Sequence, residues 1–148
     1  MWYSYAIVRV VPRVERGEFL NVGVILFSPE LDFLEARLEV DEDRLRSLAP
    51  DVDLVTVERH LATFAAISAG AAEGGPIAAL PRPERFHWLV APRSTMIQTS
   101  PTHVGRGQAP AQALDDLLNE FVRPPRAMGG DQAARRSTTA RARSSSTA

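Results

Sequence analysis

Two short apolar runs, Ala6–Val11 and Leu20–Phe27, flank a charged connector, Arg13-Val14-Glu15-Arg16-Gly17-Glu18. Both runs are rich in β-branched residues and bounded by Pro or Gly, which predicts two strands joined by a hairpin-type loop. In the first run Ala6, Val8 and Val10 alternate with Tyr5, Ile7, Arg9 and Val11, so both faces are mostly apolar. A strand of that kind belongs in the middle of a sheet. Arg9 is the exception: it must either reach the rim or pair with an acid, which Glu15 or Glu18 would supply. The second run is apolar apart from Asn21 and carries Gly23 inside it, the mark of a bulge or of close backbone approach. A third run, Phe33–Val40, turns Leu34, Ala36, Leu38 and Val40 inward and Glu35, Arg37 and Glu39 outward. One wetted face and short connections predict an antiparallel meander with a single covered side.

Helical spacing follows. Asp41-Glu42-Asp43 opens a short helix with Leu45 and Leu48, the acids suiting its N-terminal dipole. Leu54, Val57, Leu61, Phe64 and Ile67 form the stripe of a longer helix that Gly70 ends, with His60 on its solvated flank. Ala71–Pro83 holds three Pro and Gly-Gly and reads as a loop. Arg85–Ala91 and Thr95–Thr99 read as a second hairpin around Pro92-Arg93-Ser94, and Pro101–Gly107 as loop. Pro110 opens a last helix with Leu114, Leu117, Leu118, Phe121 and Val122 on its stripe. The expected fold is α+β: an antiparallel sheet of about five strands with two or three helices packed on one face.

Charge divides the chain. Residues 1–123 hold 12 Arg against 17 acids, a balance of −5, whereas residues 124–148 hold 5 Arg against 1 acid, a balance of +4. We therefore expect one globular domain over 1–123 and a disordered Arg/Ser/Ala-rich tail over 124–148. The acidic domain should not attract nucleic acid, and only the tail should do so, weakly. All 17 basic residues are Arg. Without Lys there is no P-loop lysine, no Schiff base and no kinase-type ATP lysine. Without Cys there is no thiol nucleophile, thiolate zinc site or disulfide. No basic-then-apolar leader opens the chain and no apolar run approaches the ~18 residues of a membrane helix, so the expectation is a cytoplasmic protein with no membrane contact.

Candidate chemistry gathers at two polar stretches. The first is the connector with its flanks: Arg9, Arg13, Glu15, Arg16, Glu18 and Asn21. The second holds Glu84, Arg85, His87, Arg93, Ser94, Thr95, Gln98, Ser100, Thr102 and His103. His87, His103 and Glu84 match no standard metal-ligand spacing, and Ser94 has no G-x-S-x-G elbow around it. No metal and no cofactor are expected. Anion binding fits better: Arg93 with the Ser94 and Thr95 hydroxyls would cradle a phosphate, joined by Arg9, Arg13 or Arg16 if the two hairpins lie side by side. The plainer reading is that these charges form surface pairs of little individual worth.

YAIVRVVPRVERGEFLNVGVILF and ERFHWLVAPRSTMIQTSPTH together resemble a bacterial family, domain of unknown function thirty thirty-seven, over roughly Tyr3 to Val122. The resemblance carries over no catalytic residues. The resemblance also implies a gene often encoded beside a HipA-like serine/threonine kinase, and hence a partner or regulator of such a kinase. The function expected is thus that of a small binding or regulatory protein acting through another protein. The alternative is an enzyme or a nucleotide- or phosphate-binding module built on His87 and His103.

Overall fold

The computed structural model describes residues 1–125. The expected tail, apart from its first two residues, lies outside them. Five antiparallel strands form one sheet: β1 (Trp2–Val10), β2 (Leu20–Ser28), β3 (Phe33–Leu38), β4 (Ile97–Thr99) and β5 (His103–Arg106). The helices are α1 (Glu42–Leu48), α2 (Leu54–Ala69), α3 (Arg82–Val90) and α4 (Pro110–Phe121), with 3-10 turns at Val14–Arg16 and Ala72–Ala79. The class is the expected α+β, with more helices than the sequence suggested. Among the described residues no helix is long and apolar enough to cross a membrane.

β1 is the central strand, as its two apolar faces require. It pairs with β2 on one edge, while β4 and β5 share the other, β4 opposite Val8–Val10 and β5 opposite Trp2–Tyr5. β3 continues the meander beyond β2. The register of β1 against β2 slips by one residue, so that Val8 faces Gly23 while Arg9 faces Asn21. Val22 is the extra residue of a β-bulge. Gly23 meets the other expectation too, since a Cβ there would lie 2.5 Å from the Arg37 carbonyl oxygen.

The pleat sorts the side chains into two layers, and both are covered. Ala6, Val8, Val10, Val22, Ile25 and Phe27 pack with Leu45, Val57, Leu61, Phe64, Ile67, Phe86 and Leu89 beneath α1, α2 and α3. Ile7, Val24 and Leu26 face the other way, against Leu114, Leu117, Leu118 and Val122. A single covered side was the expectation from β3. That strand is the edge, where Glu35 and Arg37 stay half-exposed.

The second predicted hairpin is only half present. Arg85–Ala91 is not a strand: α3 runs through it, with Arg85, Phe86 and Leu89 buried at helical spacing. The supposed loop before it holds the Ala72–Ala79 turn. Arg85, expected to open a strand, is 9% exposed and donates from Nη1 to the Ala78 carbonyl at 3.2 Å. It lies against Gly70, the left-handed cap of α2, where a Cβ would meet Nη1 at 2.4 Å. A cation there suits the negative end of the α2 dipole. Pro101–Gly107, expected as loop, contains β5. Pro101 interrupts the edge by removing an N–H, and Ser100 splices it. The Ser100 N–H donates to the Ile7 carbonyl and its Oγ accepts from the Ile7 N–H, both at 2.8 Å.

Candidate functional site

Residues from both predicted polar stretches meet on the α4 side of the sheet. Arg9 stands opposite Asn21 on β2 and opposite Gln98 on β4, making a row Asn21–Arg9–Gln98 across three strands. The row lies on the face of Tyr5 and Ile7. Asn21 Nδ2 donates to the Phe121 carbonyl at 3.1 Å, which sets the last turn of α4 beside the row. Gln98 Nε2 donates to the Thr95 carbonyl at 2.9 Å, so its amide oxygen remains available. Arg9 finds no acid. Its Cζ sits 4.0 Å from the centroid of the Phe19 ring, a cation–π contact. Glu18, one of the expected partners, pairs with Arg16 instead. Arg9 Nε and Asn21 Oδ1 are both buried without a partner among the described residues. Burial pulls the Arg9 pKa below its ordinary value, and an arginine remains charged regardless.

A second constellation lies on the opposite side of the sheet. A groove of about 340 Å³ opens between α2, α3 and the segment entering β4. Phe64, Ile67, Leu89, Met96 and Ile97 supply its apolar surface, and His60, Thr63, Trp88, Arg93 and Thr95 its mouth. The Arg93 Cζ lies 3.8 Å from the Trp88 ring centroid, and Nη2 donates to the Trp88 carbonyl. Burial lowers the Arg93 pKa as well. The expected phosphate cradle is not assembled as imagined, because the Thr95 hydroxyl donates to the Ile97 carbonyl at 2.8 Å and Ser94 is exposed.

The connector forms a third polar place. Val14–Arg16 makes a 3-10 turn that Gly17 closes with φ 69°. Arg13 pairs with Asp51 at 2.7 Å, and Arg16 with Glu18, all four well exposed. Glu15 is exposed too. A shallow polar hollow of about 290 Å³ lies between this turn and Leu48–Pro50.

The two histidines are not brought together. His103, on β5 opposite Tyr5, sits with its ring centroid 5.4 Å from that of Tyr5 on the α4 side. His87 is exposed on α3, which packs against the other layer. The structure thus gathers Arg9, Asn21 and Gln98. It leaves Arg13, Glu15, Arg16 and Glu18 on the loop, Arg93, Ser94 and Thr95 near the groove, and each histidine alone. Sequence reasoning missed Phe19 and the groove residues His60 and Trp88. An aromatic next to a charged loop was the available signal for Phe19. His60 and Thr63 at i, i+3 beside the α2 stripe were the signal for the groove.

A search of the curated proteins and of the solved structures finds no match to this chain. The model of one family, described as "Protein of unknown function (DUF3037)", matches residues 5–122. That span contains both quoted stretches and every element from β1, less its first three residues, to α4, and the chain belongs to this family.

Proposed function

We propose that this chain is a small cytoplasmic regulatory protein that acts by binding a protein partner. In this reading the Asn21–Arg9–Gln98 row takes hold of a carboxylate on an acidic segment of that partner. The observation that carries it is Arg9, a half-buried cation on the central strand with an aromatic ring over it and, among the described residues, no acid paired with it. Its outer guanidinium nitrogens make no bond among the described residues, and such a fork matches a carboxylate in two-point geometry. The rigidity of three paired strands under the row means little order has to be imposed on binding. The partner class proposed is the one the family resemblance implies, a HipA-like serine/threonine kinase. The exposed Arg13, Arg16 and Glu18 on the loop then steer the encounter rather than hold the partner.

The test is capture of the kinase of the native host by the tagged full chain, compared with Arg9→Gln, Gln98→Ala and the double variant Arg16→Ala/Glu18→Ala. Capture should fall at least about tenfold in Arg9→Gln. The loop variant should bind nearly as well in low salt and associate more slowly. Full capture by a folded Arg9→Gln, with loss in the loop variant, would move the site to the loop. Absence of capture by the unaltered chain would remove the kinase as partner.

A further inference from the structure

We propose that the groove between α2, α3 and β4 binds a small amphipathic anion, an acyl or aryl body bearing one carboxylate or phosphate head. It stands on the other side of the sheet from the Asn21–Arg9–Gln98 row and does not depend on it. The cavity of about 340 Å³ is of the size that receives small molecules, roughly 300–1,000 Å³. Phe64, Ile67, Leu89 and Met96 line it, so an apolar body entering there leaves water for hydrocarbon.

The mouth is of one sign. Arg93 and His60 belong to it, and none of the lining residues is acidic. Arg93 lies flat on Trp88 and gives one N–H to the Trp88 carbonyl, its only hydrogen bond among the described residues. A guanidinium carries five N–H donors, so most of its capacity is unspent within the described residues. The two hydroxyls at the mouth cannot share the work, because Thr63 donates to the Arg59 carbonyl and Thr95 to the Ile97 carbonyl. An anionic head is therefore read by Arg93, with His60 adding to it when protonated. Stacking on Trp88 holds the guanidinium in place before any ligand arrives, which lowers the ordering cost of binding.

The experiment follows Trp88 fluorescence in a Trp2→Phe background, which leaves Trp88 as the remaining tryptophan of the two in the chain. Four probes of equal chain length are titrated: octanoate, octyl phosphate, octanol and octylammonium. Saturable binding is expected for the anions, with octanol and octylammonium weaker by at least about tenfold. Preference for octanoate or for octyl phosphate identifies the head group. Arg93→Gln should weaken the anions about tenfold and leave octanol unchanged. Thr63→Phe, at an exposed position on the groove wall, should block all four while the thermal midpoint holds. The proposal is overturned if octanol or octylammonium binds as well as the anions, or if none of the four saturates. Undiminished anion binding by a folded Arg93→Gln protein overturns it too. If that variant does not fold, undiminished binding by Thr63→Phe decides against the groove.

Discussion

Arg9 and Asn21 face each other across the β1–β2 bulge, and each keeps a buried polar atom without a partner among the described residues, Nε on one side and Oδ1 on the other. A donor and an acceptor left unmet in adjacent positions cost stability, about 1–3 kcal/mol for each buried group. Among the described residues Arg85 Nε is the third such atom, standing alone on α3, whereas the buried hydroxyl of Ser100 is engaged. Unmet groups at the centre of a sheet are what a binding surface retains.

Replacing that arginine by a residue of similar length should therefore help the fold. Arg9→Met keeps the apolar stem against its neighbours and removes the desolvated charge. We expect unfolding free energy from urea titration to hold or to rise by about 1 kcal/mol, while partner capture is lost. A loss beyond about 2 kcal/mol would make Arg9 a structural residue held by its Phe19 contact.

Ser100→Ala tests the splice. The change removes the acceptor for the buried Ile7 N–H in mid-sheet. It should cost about 1–3 kcal/mol and speed hydrogen exchange at the Ile7 amide more than at β2 amides. Exchange at Ile7 no faster than in the parent chain would mean that another group accepts that proton.

Acid sensitivity should trace in part to Glu39. Its carboxylate accepts from Arg123 Nε at 2.9 Å and Nη2 at 2.8 Å, and this bonding holds its pKa below the usual carboxylate range. A carboxyl depressed in the folded state adds stability above its unfolded pKa and loses it as pH falls through the folded value. Glu39→Gln should be less stable than the parent near neutrality, and the two midpoint-against-pH curves should converge in acid. Parallel curves down to the lowest pH reached would show that the pair adds nothing.

Arg123 also binds Asp115 at 3.0 Å and Asn119 at 2.7 Å, so it clasps α4 to the end of β3. We propose it as the last residue the domain needs. Truncation after Pro125 should leave the thermal midpoint within about 2 °C of the full chain. A larger fall would move the domain boundary beyond Pro125.

The first three strands, α2 and α4 were legible because their apolar residues repeat at periods of two or of three to four over long enough runs. α3 was not. In ERFHWLV the residues Phe86, Trp88 and Val90 alternate with Arg85, His87 and Leu89, so seven residues satisfy a strand template as well as a helix. Pro83 in the first turn of α3 and the i, i+3 pair Phe86/Leu89 were the distinguishing marks. β5 was invisible for another reason: His103–Arg106 has no strand pattern of its own and is extended because the free edge of β1 pairs with it. The site was half legible. Arg9, Asn21 and Gln98 could be picked out as polar residues in apolar runs. Their alignment depends on a bulge and on long-range pairing, which no local pattern encodes.

The interruption at Pro101 has a consequence for the molecule in a crowded solution. β1 is long and apolar, the kind of strand that recruits strands from other chains when its edge is open. Instead its outer neighbours are pieces of three and four residues, separated by a segment that contains Pro101. At the opposite border β3 carries Glu35 and Arg37 on its half-exposed face. Among the described residues the β4–β5 border is broken and the β3 border is marked by charge, two features that oppose edge-to-edge pairing with other chains.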